Sequence, residues 1–202
     1  MAKIIVDMSL SLDGMITGPN DSSAQPAGER DGMQTLNWML AGPELYESST
    51  FMRPTENNLE VVDAMYKTTG ALLTGRRTYD YASGWGGSHP ITGLPVVVLT
   101  HTPPKEIPQG HSTFTYIGDL HAAVETAKVQ AGEKDVMAHG ASTTQQLLDA
   151  GLLDELWLHV APRLLGAGKP LFGHTAAPVD LEMVETIPTR EAVHIRYRVL
   201  KK

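Results

Sequence analysis

The sequence predicts an α/β protein, a single three-layer domain over residues 1–202 with a mainly parallel central sheet and an antiparallel C-terminal hairpin. Three observations carry this reading. Strand patterns alternate with helix patterns through the middle of the chain, two consecutive strand patterns close it, and no linker or repeat divides it. At 202 residues, 42% hydrophobic and 19% charged, there is material for one sizeable core covered on both faces.

Lys3–Leu12 alternates with period two, with Ile4, Val6, Met8, Leu10 and Leu12 on one side and Asp7, Ser9 and Ser11 opposite, a first strand. Gly18–Gly32 is nearly all turn formers and predicts a long functional or mobile loop, with a disordered surface insertion as the alternative. Apolar residues from Leu36 towards Thr55 suggest a helix that stops near Gly42-Pro43, and Leu59–Thr69 is amphipathic. Ala71–Thr74 and Val96–Leu99 are short apolar strands; after the first, Gly75 and a polar run suggest another helix start. Asp119 caps a helix that ends at Gly132, Asp135–Ala138 is a strand, and Ser142 with Gln145 reads as a capping box for a helix ending at Gly151. Asp154–Pro162 alternates as a strand, and Leu181–Ile187 with Ala192–Leu200 form the closing hairpin.

A net charge of −7 excludes a general basic footprint for nucleic acid or anionic membrane. The absence of cysteine excludes disulfides, thiolate zinc, iron–sulfur clusters and a cysteine nucleophile. No leader or membrane span is expected, because Asp7 and Asp13 interrupt the N-terminal apolar residues and no run of about 18 apolar residues occurs. A cytoplasmic protein is the expectation. GxGxxG after the first strand, GxxxxGK[ST], HExxH and GxSxG are all missing, which argues against the commoner nucleotide, zinc-hydrolase and serine-hydrolase sites.

Three segments share one pattern, an apolar strand followed by small or hydroxyl residues and a polar turn: LLTGRRT, VVLTHT and VMAHGAST. In open parallel sheets ligands bind beyond such strand ends. Gly140 and the following helix start suit a diphosphate, Arg76 or Arg77 beside Gly75 suits a further phosphate, and Thr100–Thr102 adds hydroxyl and imidazole donors. Each alone is an ordinary turn or a solvated Arg pair; together they suggest a phosphorylated nucleotide.

The segments SLSLDGMITGPND, LLTGRRTYD, VVVLTHTPP and HGASTTQQLLDAGLLDELWLHVAPRLLGAGKPLF resemble dihydrofolate reductase-like proteins related to the C-terminal reductase domain of the riboflavin-biosynthesis deaminase/reductase. The similarity runs from Lys3 to the end and is strongest over Asp135–Phe172. The resemblance implies a dihydrofolate reductase-like fold, NADPH as cofactor and a homodimer. It also implies that Gly75, Arg76 and Thr78 meet the cofactor, with Arg76 at the 2′-phosphate. Thr100, His101 and Thr102 would line the adenosine side, and Gly140, Ala141, Ser142, Thr143 and Thr144 would wrap the diphosphate. Ser9 and Ile16 would face the nicotinamide.

The sequence departs from that pattern in three places. His139 replaces the first glycine of a Gly-Gly pair, Ala138 stands where the riboflavin-pathway enzymes carry glutamate, and Tyr79–Gly84 lacks their Asp-Asp-Pro segment. The implied function is NADPH-dependent reduction, by hydride transfer, of a small heterocyclic or carbonyl/imine substrate. The alternatives are an NADP(H)-binding sensor without turnover, 5-amino-6-(5-phosphoribosylamino)uracil reduction, or dihydrofolate reduction. Asp13, His139 and Asp31 are candidate proton donors, Trp38 and Trp85 candidate stacking residues for the substrate, and no metal site is expected. The Gly18–Gly32 loop would close as a lid.

Overall fold

The computed structural model describes residues 2–47, 49, 51–173 and 175–201. Its strands are β1 (Ile4–Ser11), β2 (Met15–Thr17), β3 (Thr69–Gly75), β4 (Val96–Leu99), β5 (Phe114–Ile117), β6 (Asp135–His139), β7 (Glu155–Ala161), β8 (Lys169–Pro170), β9 (Asp180–Pro188) and β10 (Val193–Leu200). The α-helices are α1 (Asn37–Leu40), α2 (Leu59–Thr68), α3 (Arg76–Tyr81), α4 (Leu120–Ala131) and α5 (Ala141–Asp149). Eight strands form one sheet in the order β5-β4-β3-β6-β1-β7-β10-β9, and β2 pairs with β8 apart from it. All pairs from β5 to β7 are parallel, while β10 runs antiparallel to both β7 and β9. The predicted fold class and hairpin are therefore observed.

Strand alternation divides the core into two layers. Ile4, Val6, Leu73 and Val97 face α4 and α5, packing against Ala123, Ala127 and Leu147. Leu72, Val96, Val98 and Met137 face the other way, against Trp38, Val62, Met65 and Tyr79. Leu73 is wholly buried, so truncating it to alanine would cost roughly 2–5 kcal/mol.

β1, sandwiched between β6 and β7, turns Asp7 and Ser9 into the interior. Its register sets Ser9 beside His159, and that of β7 with β10 sets His159 beside His194.

Several local expectations change. The apolar residues after Leu36 form only the four-residue α1, preceded by a 3-10 turn at Gly32–Leu36, because Gly42 and Pro43 stop the helix. Ser48 and Thr50, in that same stretch, lie outside the described residues. Residues 18–32 are not a disordered insertion. The amide of Gly18 donates to the Ala27 carbonyl and that of Glu29 to Pro19, both at 2.8 Å. A Cβ on Gly18 would meet the Glu29 oxygen at 1.8 Å, which explains the glycine there.

Asp119 caps α4 as expected, its carboxylate accepting from the Ala122 amide at 2.8 Å. The capping box at Ser142 does not form. α5 starts one residue earlier, with Gly140 at its N-cap and no side-chain cap, and the Ser142 hydroxyl instead accepts from Gln146 Nε2 at 3.3 Å. β2, β5 and β8 are too short to give a period-two signal.

Candidate cofactor and substrate cleft

β1, β3 and β6 lie side by side and end together. Above their carboxyl ends opens a cleft of about 870 Å³. α3 starts at the end of β3 and α5 at the end of β6, so two helix starts flank one end of the cleft. The two junctions interlock: a Cβ on Gly75 would lie 3.1 Å from Thr143 Oγ1 of α5, and one on Gly140 would lie 2.9 Å from Thr78 Oγ1 of α3. Gly140 also has φ +96°, a conformation L-residues rarely adopt. This end of the cleft is open because both junctions are glycine.

Ser9, Ile16, Gly75, Arg76, Arg77, Thr78, His139, Gly140, Ala141, Ser142 and Thr143 all line the cleft. Arg76 is held by Asp80 at 2.7 Å and also donates to the Thr102 carbonyl, while Arg77 pairs with Asp21 at 2.8 Å and lies over the Tyr81 ring. These contacts fix the Arg76 guanidinium towards the turn after β4 and the Arg77 guanidinium towards Asp21. Thr17 also lines the cleft, and its buried hydroxyl has no hydrogen-bond partner among the described residues.

Other expected cofactor residues lie elsewhere. Thr144 is fully buried and its hydroxyl donates back to the Gly140 carbonyl at 2.9 Å, so it holds the α5 start and does not line the cleft. Thr100 and Thr102 bond to each other in the turn after β4, outside the cleft wall, and reach it only through Arg76. His101 is exposed, with its ring against Gly118.

Of the candidate proton donors, the structure removes two. The Asp13 carboxylate accepts from the Ser11 hydroxyl at 2.6 Å and from the amides of Leu165 and Gly166 at 3.0 and 2.7 Å. Those bonds, Ser11 first, hold its pKa at about 2, which makes it a turn clamp. Asp31 is exposed in a left-handed turn, faces Arg163 at 3.4 Å and does not line the cleft. His139 does line it, but burial, and then the charge of His159, lowers its pKa against the pull of Asp7, so its ring is neutral.

Both tryptophans line the cleft. Trp38 is buried, donates from Nε1 to Ser9 Oγ at 2.8 Å and stacks on His159 with centroids 4.2 Å apart. Trp85 sits in a run of positive φ from Ser83 to Gly87, its own at +50°. A bulky residue held in that region is a genuine outlier. The strained turn sets Trp85 edge-to-face with His89, whose pKa burial, and then the nearby His139, pushes down to about 3.

Six of the chain's nine methionines, Met8, Met33, Met39, Met52, Met65 and Met137, line the cleft. They give a polarizable, adaptable apolar wall. The lining cations are Arg76, Arg77 and Lys169, and none comes from the lining residues between 36 and 65.

Sequence reasoning missed a buried chain of polar groups at the cleft floor. Asp7 Oδ1 lies 3.1 Å from His159 Nε2, His159 Nδ1 lies 2.6 Å from His194 Nδ1, and His194 Nε2 lies 2.7 Å from Asn58 Oδ1. All four residues are at most 8% exposed, and Asp7 lines the cleft. Burial favours the neutral acid at Asp7, but the charge and hydrogen bond of His159, helped by His139 and His194, outweigh it and lower the pKa. Among the described residues, no group of three or more histidine, aspartate or glutamate side chains could hold a metal ion.

Comparisons with known proteins bear on the family and the fold. The family model for the RibD C-terminal domain matches residues 2–195. The uncharacterized protein YyaP of Bacillus subtilis strain 168 is 27% identical over 195 residues, 91% of this chain and 87% of its own length. The crystal structure of a putative riboflavin biosynthesis protein from Shewanella sp. PV-4 superposes with a TM-score of 0.69 at 23% identity, over 100% of both chains. Enterococcus faecalis dihydrofolate reductase, solved with NADP(H), superposes with a TM-score of 0.58 at 17% identity, over 98% of this chain and 97% of its own. These superpositions identify the fold as dihydrofolate reductase-like.

Proposed function

The chain belongs to the RibD C-terminal domain family, and from that premise we propose that it is an NADPH-dependent reductase of a small, uncharged, planar substrate. The observation that carries this reading is the pair of interlocked glycine junctions, Gly75 against Thr143 and Gly140 against Thr78, at one end of a cleft whose wall from residues 36–65 is apolar. The gap they leave suits a diphosphate, and the donor set matches it: the first amides of α5, the Ser142 hydroxyl and the Arg76 and Arg77 guanidinium groups. Arg76 then reads the 2′-phosphate. Ser9 and Ile16 hold the nicotinamide end. When bound, the cofactor supplies a hydride.

The protein's own residues orient and shield that transfer. Trp38 and the methionine wall exclude water around a planar ring. A phosphorylated substrate is disfavoured, because the wall built by residues 36–65 offers no cation. Residues 18–32, tied to α3 through Asp21 and Arg77, cover one side of the opening. We place the protein in the cytoplasm as a homodimer; among the described residues, no helix is long and apolar enough to cross a membrane.

Titration of tryptophan fluorescence tests the reading. NADPH should quench it, and Arg76→Ala should weaken NADPH about 10- to 100-fold, the loss of one charged hydrogen-bond set, while leaving NADH nearly unchanged. Equal losses for both cofactors would remove Arg76 from the 2′-phosphate, and no response to NADPH at millimolar concentration would end the proposal. Binding without NADPH oxidation across ketones, imines and dihydrofolate would favour a sensor.

A further inference from the structure

We propose that the buried pair of Asp7 and His159 is the proton donor of the cleft, with Asp7 touching the substrate and His194 and Asn58 as positioning residues that lock a proton into the pair. The inference rests on the reductase reading above and supplies the acid that Asp13 and Asp31 cannot be.

The hydrogen-bond polarity fixes where the protons are. Asn58 Nδ2 donates to Thr55 Oγ1 at 2.5 Å and to Glu191 Oε2 at 3.1 Å. Asn58 Oδ1 is therefore the atom facing His194, and His194 Nε2 must carry a hydrogen to donate at 2.7 Å. Burial, and then the charge of His159, pushes the His194 pKa down to about 3, so its ring has only that one proton and presents a lone pair at Nδ1. Across 2.6 Å, His159 Nδ1 must then be the donor.

One proton of His159 is thus committed to His194. Its other nitrogen, Nε2, lies 3.1 Å from Asp7 Oδ1. Without a proton between them, a nitrogen lone pair would face a carboxylate oxygen in a buried site, an arrangement that is strongly repulsive. The contact therefore holds a proton. The charge and hydrogen bond of His159 favour the Asp7 carboxylate, so the shared proton rests on His159 Nε2 and both His159 nitrogens carry hydrogen.

This is a charged pair with an outlet. The second Asp7 oxygen has no hydrogen-bond partner among the described residues, and Asp7 lines the cleft on the same sheet face as Ser9. Trp38 covers His159 and ties to Ser9, so the pair sits beside the proposed nicotinamide position. The titratable and charged neighbours are His139 from β6, His194 from β10 and Glu191 behind Asn58. Glu60, Glu185 and Arg196 border a cavity of about 100 Å³ on the far side of the two histidines.

In turnover the carbon of a substrate C=N bond receives the hydride. Asp7 Oδ1 takes the proton from His159 Nε2, the carboxyl group turns its new O–H towards the cleft, and the substrate nitrogen takes that proton as the O–H bond breaks. The N–H bond of the amine forms, the His159 N–H bond breaks, and the pair is left as a carboxylate and a neutral imidazole. A proton from water restores it once the product leaves.

Imidazole ¹⁵N–¹H NMR of the whole protein reads the resting state without any substrate. His159 should carry protons on both nitrogens near neutral pH, and Asp7→Asn should leave it with one. A singly protonated His159 in the wild type overturns the proposal, and this measurement needs no variant to fold. Turnover is read with NADPH and 3,4-dihydroisoquinoline, a planar cyclic imine. Asp7→Asn should lower kcat by about 100-fold or more, the usual scale of general acid catalysis, with NADPH quenching unchanged. A variant with wild-type kcat overturns the donor role, as does a wild type that binds NADPH and leaves the imine unreduced. Failure to bind NADPH would refute the reductase reading instead, and the NMR result would still decide whether the pair holds a proton.

Discussion

Gly140→Ala should damage stability and cofactor binding together, whereas Gly75→Ala should damage only binding. Gly140 has φ +96° and ψ 140°, a region that costs a side-chain-bearing residue roughly 1–3 kcal/mol. The new Cβ would also stand 2.9 Å from Thr78 Oγ1, so the hydroxyl must turn away from the α3 start. Together these effects amount to about 2–3 kcal/mol, or roughly 4–12 °C in Tm for a domain of this size. Gly75 differs in kind. Its φ is −83°, ordinary for any residue, and its added Cβ meets only Thr143 Oγ1 at 3.1 Å. A Gly→Ala change there gains about 0.4–1 kcal/mol by stiffening the unfolded chain, which offsets the tight contact and keeps Tm within about 3 °C. Both methyl groups intrude on the proposed diphosphate passage, so both variants should bind NADPH more weakly. Thermal unfolding by circular dichroism and NADPH fluorescence titration measure the two effects separately. A Gly140→Ala protein that melts with the wild type would show that the backbone there relaxes freely, and the account of the junction would be wrong.

Two further predictions concern pH and charge. His89 and His194 are pushed down to about 3 from an ordinary 6.5, by burial first and then by neighbouring histidines. The unfolded chain therefore takes up protons before the folded one, so this stability is complete above pH 6.5 and drains as the pH falls towards 3. Melting temperature should be level above neutrality and fall through the acid range, with a shallower slope in His89→Gln; an unchanged slope would remove His89 from the account. Glu155 resists burial through Lys3 at 2.7 Å, Arg196 at 2.7 Å and Trp157 Nε1 at 3.1 Å, which hold its pKa at about 2. Its contribution is present above pH 4.5 and is lost as the pH falls through about 2. Glu155→Gln should lower urea stability by about 2–4 kcal/mol at neutral pH, because two cations lose a buried partner; an unshifted urea midpoint would refute this.

The two ends of the cleft differ in how far they can be read from sequence. The cofactor end is local. Gly75 with Arg76–Thr78 and Gly140 with Ala141–Thr143 each lie within one strand-to-helix junction, so adjacent residues in the chain are adjacent in the site. What the sequence could not show there is which hydroxyl faces inward. Ser142 and Thr143 line the cleft while Thr144 turns into the core, because α5 begins at Ala141 and not after a Ser142 cap. The substrate end is non-local. Asp7, His159 and His194 are 35 or more residues apart from one another and meet only through the registers of β1 with β7 and of β7 with β10.

Asp13 and Asp31 drew attention because they stand near the first loop, where proximity in sequence mimics proximity in space. Asp13 is spent on the Leu165 and Gly166 amides, contacts across 152 and 153 residues that no spacing rule exposes. One signal was present. A strand that lies inside a parallel sheet is buried on both faces and should read as nearly continuous apolar residues. β1 instead carries Asp7, Ser9 and Ser11 on one face. In an antiparallel edge strand that pattern means solvent, but in the central strand of a parallel sheet it means that polar groups are kept inside at a cost in desolvation. Because the alternation of strands and helices implies a parallel sheet, the polar face of β1 marks the floor of the site, and Asp7 is its one ionisable group.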